Sequence, residues 1–316
     1  MSSEVFVGID TSNYTTSYAV VDSAGDLVAN LKMPLPVKAG ECGLRQSDAV
    51  FAHVKNLPEI AVEAGEILKD RKILAVGVSH RPRNIDGSYM PCFLSGVAVA
   101  KNISAALGVP LYEFSHQCGH IMAAVFSSGK RELLEMPFAA YHVSGGTTEL
   151  VLVSYRDDGF STELVGGTAD LNAGQIIDRI GVRMGLPFPA GRHIEELALS
   201  NTERVPSRKP SVKGLKANLS GLENLAIKLH EETGDKALTS AFVLDYIGRA
   251  IEMTCEALIL ERGELPFVFA GGVMCNSIIR ARLSAKFKAY FAEPAMSADN
   301  AVGIAELARI AHLKKL

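Results

Sequence analysis

Two histidines, His116 and His120, stand four positions apart in the otherwise apolar run "YEFSHQCGHIMAA". Four residues is close to one helical turn, so a helix here projects both imidazoles from one face, where a single metal ion could meet two nitrogens. No Glu follows the first histidine, so the pair is not the HExxH pattern of a metalloprotease. Two satisfied histidines on an ordinary helix fit the same spacing, and a metal site needs further ligands from elsewhere in the chain. Two small-residue turns offer a second chemistry. In "VSGGTT", residues 143–148, Gly, Ser and Thr let backbone N–H groups approach phosphate oxygens and add hydroxyl donors. A plain hairpin with Gly-Gly at its turn reads the same way. In "FAGGVMCNS", Gly271 and Gly272 follow a buried strand and precede a helix, where a nucleoside could lie against backbone.

The elements that must position these residues form a repeat. "VFVGIDTSNYTTSYAVVDSAGDLVAN" reads as a β-branched strand, a tight turn, a second strand and an "AGD" turn into a third; "FAAYHVSGGTTELVLVSYRDDGFST" repeats it from Phe138. Two distant copies of one unit predict two similar lobes around a cleft. Between and after them, "DAVFAHVKNLPEIAVEAGEILKD", "FLSGVAVAKNISAALG", "AGQIIDRIGVRMG", "ALTSAFVLDYIGRAIEMTCEALILERG" and "NAVGIAELARIAHLKKL" have helical spacing, while "ILAVGVSH" and "PFVFA" read as short apolar strands. Alternating strands and helices predict an α/β fold with sheets covered by helices in each lobe.

Bulk properties limit the classes. A chain of 316 residues exceeds one ordinary hydrophobic core. A formal charge of −3 argues against gripping nucleic acid by bulk electrostatics, so any RNA partner is held locally. The local candidate is "SNTERVPSRKPSVKGLKANLSG", residues 200–221, with Arg204, Arg208, Lys209, Lys213 and Lys216. These cations could touch an RNA backbone or belong to a solvated loop. Cys42, Cys92, Cys118, Cys255 and Cys275 are scattered, with no CxxC pair, which points to neither a disulfide framework nor a zinc ribbon. The amino terminus lacks a signal-peptide pattern and no uncharged apolar run reaches membrane-spanning length, so a soluble, cytoplasmic protein with no membrane partner is expected.

Taken in order, "SHQCGHI", "HVSGGTTEL", "GGTADLNAGQIIDRIGVRMGLPFPAG", "NLSGLENLA", "FAGGVMCNS" and "SADNAVGIAELA" resemble the TsaD family over nearly the whole chain. This family was once described as O-sialoglycoprotein endopeptidases, of the M22 peptidase class. The resemblance implies a duplicated actin-like, sugar-kinase-like (ASKHA) fold with a nucleotide in the cleft between two lobes. The expected lobes are 1–112, with the helix 302–316 packing back on it, and 113–301, carrying the metal and nucleotide motifs. It also implies an iron or zinc ion held by His116, His120 and Asp299, and an adenine nucleotide or acyl adenylate. The implied reaction is transfer of a threonylcarbamoyl or related carbamoyl group from that adenylate to N6 of an adenosine in tRNA, with partner proteins like TsaB and TsaE.

By the same resemblance, His142, Val143, Ser144, Gly145 and Gly146 line the substrate. Asp178 meets the ribose, Gly191 sits under the nucleoside, Asn276 contacts the base or phosphate side, and Asp10 and Ser144 are the expected catalytic residues. Asp178 also reads as an ordinary helix acid and Asn276 as a helix cap. His142 stands where the archaeal and eukaryotic branch has Tyr. It could be a fourth metal ligand or a core or turn histidine.

Several positions depart from the family pattern. Where the family has "ETSCDET" this chain has "DTSNYTTS", keeping Asp10 but placing Tyr14 and Thr15 at two acids. A "GPGL" turn is replaced by "HRPRNIDGSYMPCF", which brings Arg81 and Arg83 to where an anion could lie. Gly167 and Gln175 stand for two glutamates and Glu223 for a lysine. These changes suggest a divergent bacterial paralogue, and they leave a second expectation: a nucleotide- and metal-binding regulator, or an enzyme with a different acceptor.

Overall fold

Val, Ile, Thr and Ala dominate the first three extended runs, as suits a pleated, half-buried surface. They form an antiparallel meander of β1 (Ser3–Thr11), β2 (Thr15–Asp22) and β3 (Leu27–Pro34). The computed structural model describes residues 3–12, 14–36, 44–156, 159–297 and 301–315. The chain divides into unit 1 (1–131, 155–161 and 298–316) and unit 2 (132–154 and 162–297).

In unit 1, β4 (Arg71–Arg81) and β5 (Leu111–Ser115) add in parallel beside β1, giving the order β3-β2-β1-β4-β5. Helices α1 (Gln46–Leu68) and α2 (Phe93–Leu107) pack on one face of this sheet, where Leu57, Ile60 and Ala100 meet Val7, Ile9, Val76 and Val78. The opposite face carries α3 (His116–Ser128) and the closing helix Val302–Leu313. Small residues let these backbones touch. A Cβ added at Gly8 would lie 2.5 Å from the Ala301 carbonyl oxygen, and one at Gly303 only 1.9 Å from that of Gly119.

Unit 2 repeats the plan. Its meander is β6 (Phe138–Val143), β7 (Thr148–Arg156) and β8 (Gly159–Thr168), extended by β9 (Ser211–Lys213), β10 (Lys216–Asn218), β11 (Phe267–Ala270) and β12 (Ala289–Phe291). The sheet order is β12-β11-β6-β7-β8-β10-β9. Its stretch β8-β7-β6-β11-β12 has the connectivity of β3-β2-β1-β4-β5, so the expected duplication is present. The helices are α4 (Ala173–Arg183), α5 (Gly191–Leu199), α6 (Ser220–Thr233), α7 (Lys236–Arg262), α8 (Ser277–Ser284) and α9 (Pro294–Ser297). In chain order the closing helix of unit 1 is α10. Tyr141, Phe267 and Phe269 form the core with Phe242, Ile247 and Ile251 of α7 and Ile176 of α4.

In chain order the first crossing between the units falls between Arg131 and Glu132. The backbone contact between Gly119 and Gly303 seats α3 on α10, so His116 and His120 belong to unit 1. No described helix is long and apolar enough to cross a membrane.

Candidate metal and nucleotide sites

Helix α3 begins where β5 ends because the Ser115 side chain accepts the Cys118 N–H at 3.2 Å, an N-cap that turns the extended chain into the helix. This start lies at the carboxyl edge of the parallel strands, and Asp10, the penultimate residue of β1, ends at the same edge. Asp10 is fully buried, and its Oδ1 lies 2.9 Å from His116 Nδ1. A carboxylate only accepts, so Nδ1 carries the proton and Nε2 of neutral His116 carries the lone pair. His120 follows one turn later, and its Nε2 lies 2.9 Å from His116 Nε2, with the rings edge to face.

The two Nε2 atoms thus face each other at hydrogen-bond distance with a carboxylate behind the first, the arrangement that orients a metal-ligating histidine and raises its basicity. The pair fits two ligand positions of a small ion. Asp299, the expected third ligand, lies outside the described residues. Among the described residues no group of three or more His, Cys, Asp or Glu is placed to hold a metal. Asp10 Oδ2 and the Ser17 and Ser79 hydroxyls are buried without hydrogen-bond partners. Ser17 is Asp10's cross-strand partner, so two of these atoms share one face of the sheet. A buried polar group left without a partner calls for an explanation, and a catalytic role or a bound ion is one.

The first hairpin is locked from behind by a residue that carries no sequence signal. His53 of α1 lies 2.8 Å from the Ser12 carbonyl through Nε2 and 2.8 Å from Thr16 Oγ1 through Nδ1, while Asn56 Nδ2 donates to Thr16 Oγ1 at 3.1 Å. Only an Nε2–H can serve the carbonyl, so Nδ1 accepts the threonine proton. Burial lowers the His53 pKa, against the opposing pull of the Ser12 hydrogen bond and the Asp10 charge, and favours this neutral form. Tyr14, at a position of a family acid, is 46% exposed at the hairpin tip. In the segment replacing "GPGL", Arg81 donates to Asn84, and Asn84 Nδ2 donates to the Phe160 carbonyl at 3.0 Å. Arg81 therefore braces its own loop, while Arg83 is exposed.

In unit 2 three segments meet at the carboxyl ends of β6 and β11, the edge at which α/β sheets bind ligands. Residues 144–147 form the β6–β7 turn. Ser144 N–H donates to the Thr147 carbonyl at 2.7 Å, and Thr147 N–H donates to Ser144 Oγ at 3.1 Å. A Cβ at Gly145 or Gly146 would meet nothing within 4 Å, so both present bare backbone to open space. Gly174 of α4 backs the turn, its N–H donating to the Ser144 carbonyl at 3.2 Å. Gly271, at φ +97°, lies against the end of β6: a Cβ there would come 2.3 Å from the Val143 carbonyl oxygen and 2.7 Å from His142 Cδ2. Gly272 follows it, exposed. His142 is half-buried at the end of β6, paired with Ala270 and Glu149.

Asp178 accepts the Ala190 N–H at 2.7 Å, placing its carboxylate beside Gly191, whose own Cβ position is open. Burial pushes the Asp178 carboxyl up, and the Ala190 hydrogen bond only partly offsets this. Asn276 caps α8 through Oδ1, which accepts from Ile279 N at 3.1 Å. Beside it, Glu195 of α5 accepts from both Ser277 N and Ser277 Oγ, at 2.7 and 2.6 Å. Glu195 had no sequence signal, since "IEELA" reads as an ordinary amphipathic helix.

The departures are locally consistent. At Gly167, φ is +132° and a Cβ would lie 2.1 Å from the Thr148 carbonyl oxygen, so a glutamate cannot stand there on this backbone. Glu223 is 7% exposed and pairs with Arg179 Nε at 3.2 Å and Arg183 Nε at 3.3 Å. A lysine at 223 would face two guanidinium groups, so the reversed charge is compensated within α4. Gln175 is exposed on the same helix.

Comparison with known proteins agrees with this architecture. The family model of TsaD, tRNA N6-adenosine threonylcarbamoyltransferase, matches residues 45–306. A tRNA N6-adenosine threonylcarbamoyltransferase of Streptococcus pneumoniae (strain Hungary19A-6) is 31% identical over 299 residues, covering 90% of this chain and 85% of the relative. One of Streptococcus gordonii is 30% identical over 305 residues, covering 91% and 85%. Among solved structures, HypF of T. kodakarensis superposes with a TM-score of 0.63 at 13% identity, over 99% of this chain and 48% of that one. A ROK family glucokinase from Streptomyces griseus in complex with glucose and AMPPNP gives 0.52 at 14% identity, over 96% and 99%. These two likenesses establish the actin-like, sugar-kinase-like fold. On the match of its sequence, the chain belongs to the TsaD family of tRNA N6-adenosine threonylcarbamoyltransferases and is a tRNA acyltransferase.

Proposed function

We propose that this chain transfers a threonylcarbamoyl or closely related carbamoyl group from an acyl adenylate to N6 of adenosine in tRNA. In this reading one iron or zinc ion is held by His116, His120 and Asp299. The observation that carries it is the convergence of the two Nε2 atoms, 2.9 Å apart, with buried Asp10 behind His116. When bound, the ion supplies a Lewis acid for the carbamoyl or phosphate oxygens. Asp10 holds the proton on His116 Nδ1 and so keeps Nε2 available. Ser144 Oγ, which accepts from Thr147 N, retains its own proton to donate, and the N–H groups of Gly145 and Gly146 add donors for developing oxygen charge. Asp178 and Gly191 take the ribose and nucleoside, with Val143, Gly271, Gly272 and Asn276 along the remaining edge. Transfer of an already activated acyl group to an amine needs no protein nucleophile.

The reading places the enzyme in the cytoplasm, acting on tRNA, with proteins like TsaB and TsaE as candidate partners. The test incubates purified protein, alone and with such partners, with threonylcarbamoyl adenylate and tRNA, and digests the RNA for mass spectrometry. Modified adenosine is the expected product. Tyr14 at an acid position of the first hairpin, and the Arg81–Asn84 loop in place of "GPGL", favour one alternative: a nucleotide- and metal-binding paralogue with another acceptor or a regulatory role. Adenylate binding without any RNA product under all these conditions would establish that alternative.

A further inference from the structure

We infer that the segment Arg204 to Lys216 of unit 2 is a preformed docking strip for the phosphate backbone of the tRNA acceptor; this rests on the acyl-transfer reading above. The segment 204–220 carries Arg204, Arg208, Lys209, Lys213 and Lys216 and no acid, in a chain whose formal charge is −3. All five cations are exposed, and among the described residues none has an acidic partner within ion-pair distance.

The backbone beneath them is fixed. Arg249 Nη1 donates to Ser207 Oγ at 2.8 Å, Tyr246 OH accepts from Ser211 N at 3.4 Å, and the Asp170 carboxylate accepts from Leu219 N and Ser220 N at 2.8 and 3.0 Å. The strip is thus held at both ends and in the middle while its charges point outward, an arrangement that lowers the ordering cost of binding. Lys213 and Lys216 are direct cross-strand partners in the β9–β10 hairpin. Like charges placed opposite each other destabilise a hairpin unless an anion lies between or over them.

The strip also lies at a useful place. Lys216 pairs with Gly167, and Gly167 packs against Thr148, which follows the 144–147 turn. Neighbouring strands are spaced about 4.8 Å, so Lys216 stands roughly 10 Å, and Lys213 roughly 14 Å, across the sheet from the start of β7. A nucleic acid presenting a base at that turn would run its flanking phosphates over these lysines. A membrane surface is disfavoured, because binding there needs apolar side chains beside the cations, and among the described residues no large exposed hydrophobic lies between 200 and 220.

The test compares the full chain with a triple variant, Lys209→Gln, Lys213→Gln and Lys216→Gln, in tRNA binding followed by fluorescence anisotropy over a series of KCl concentrations. Each lost phosphate contact removes about 0.7 to 0.9 from the slope of log K against log salt, so the slope is expected to shallow by about 2 to 3. The affinity of the variant for a fluorescent adenine nucleotide stays unchanged. Equal slopes and affinities for tRNA would overturn the inference and leave the lysines as guards of an exposed edge strand. So would parent chain that binds anionic phosphatidylserine vesicles but not tRNA. Parent that binds tRNA through the strip yet yields no modified nucleoside would instead count against the transfer reading alone.

Discussion

His116 Nδ1 and Asp10 Oδ1 lie 2.9 Å apart although 106 positions separate the two residues. A fully buried carboxylate that hydrogen-bonds the back of an imidazole fixes its tautomer and orientation, and such partners typically contribute 10- to 100-fold to metal affinity. Asp10→Asn is therefore expected to weaken zinc binding by about 10-fold or more while the far-ultraviolet circular dichroism stays that of the parent. Isothermal titration with zinc checks this. Unchanged zinc affinity would show that Asp10 has no part in orienting His116.

Gly303 and Gly145 should respond oppositely to the same substitution. In Gly303→Ala the new methyl would stand 1.9 Å from the Gly119 carbonyl oxygen, so α10 must move away from α3. Such overpacking typically costs about 1 to 3 kcal/mol, and a clash against backbone belongs at the upper end. Gly145→Ala adds a methyl that meets nothing within 4 Å, so stability should hold while adenine-nucleotide affinity falls. Urea unfolding and nucleotide titration of both variants separate the two effects.

Asp170 joins the start of α4 to the amino terminus of α6. Burial alone would raise its pKa, but hydrogen bonds from Leu219, Ser220 and Leu171 outweigh it and hold the carboxyl at about 2. A depressed folded pKa contributes stability that is present above the unfolded value near 3.8 and is lost as pH falls through about 2. Asp170→Ala removes a helix-capping acceptor and should cost about 1 to 2 kcal/mol at pH 7 in urea unfolding. The difference from parent should shrink on acidification toward pH 2.

His53 gives acid sensitivity of the same sign in a higher pH window. Its folded pKa is lowered by burial, so the neutral form contributes stability that is complete above the unfolded value near 6.5 and is lost as pH falls toward the folded one. Parent should lose stability between pH 7.5 and 5 more steeply than His53→Gln, which cannot titrate. Parallel pH profiles for the two proteins in urea unfolding would exclude His53 as the origin of this sensitivity.

Much of this architecture was legible because it depends on periodicity. The β1–β3 and β6–β8 meanders repeat the same strand and turn pattern, and their matching sheet orders follow from it. His116 and His120 were legible as a pair because helical spacing alone puts them on one face. The roles of His53, Glu195 and Asp170 were not, because each acts on a partner remote in sequence: Ser12, Ser277 and Leu219. The Gly119–Gly303 contact that seats α3 on α10 is equally invisible in the sequence, since it joins two helices separated by most of unit 2. Glu223 read as the loss of a lysine until its contacts with Arg179 and Arg183 revealed a compensated charge reversal.

The metal site stands or falls on whether His116 and His120 grip one ion. Its most direct test is the metal content, by inductively coupled plasma mass spectrometry, of the parent and of the His116→Ala and His120→Ala variants purified without added metal and confirmed folded. Close to one iron or zinc per parent chain is expected, and less than about a tenth of that in either variant, since a site that loses one of a few ligands holds a divalent ion far more weakly. Equal metal content in all three proteins would contradict it.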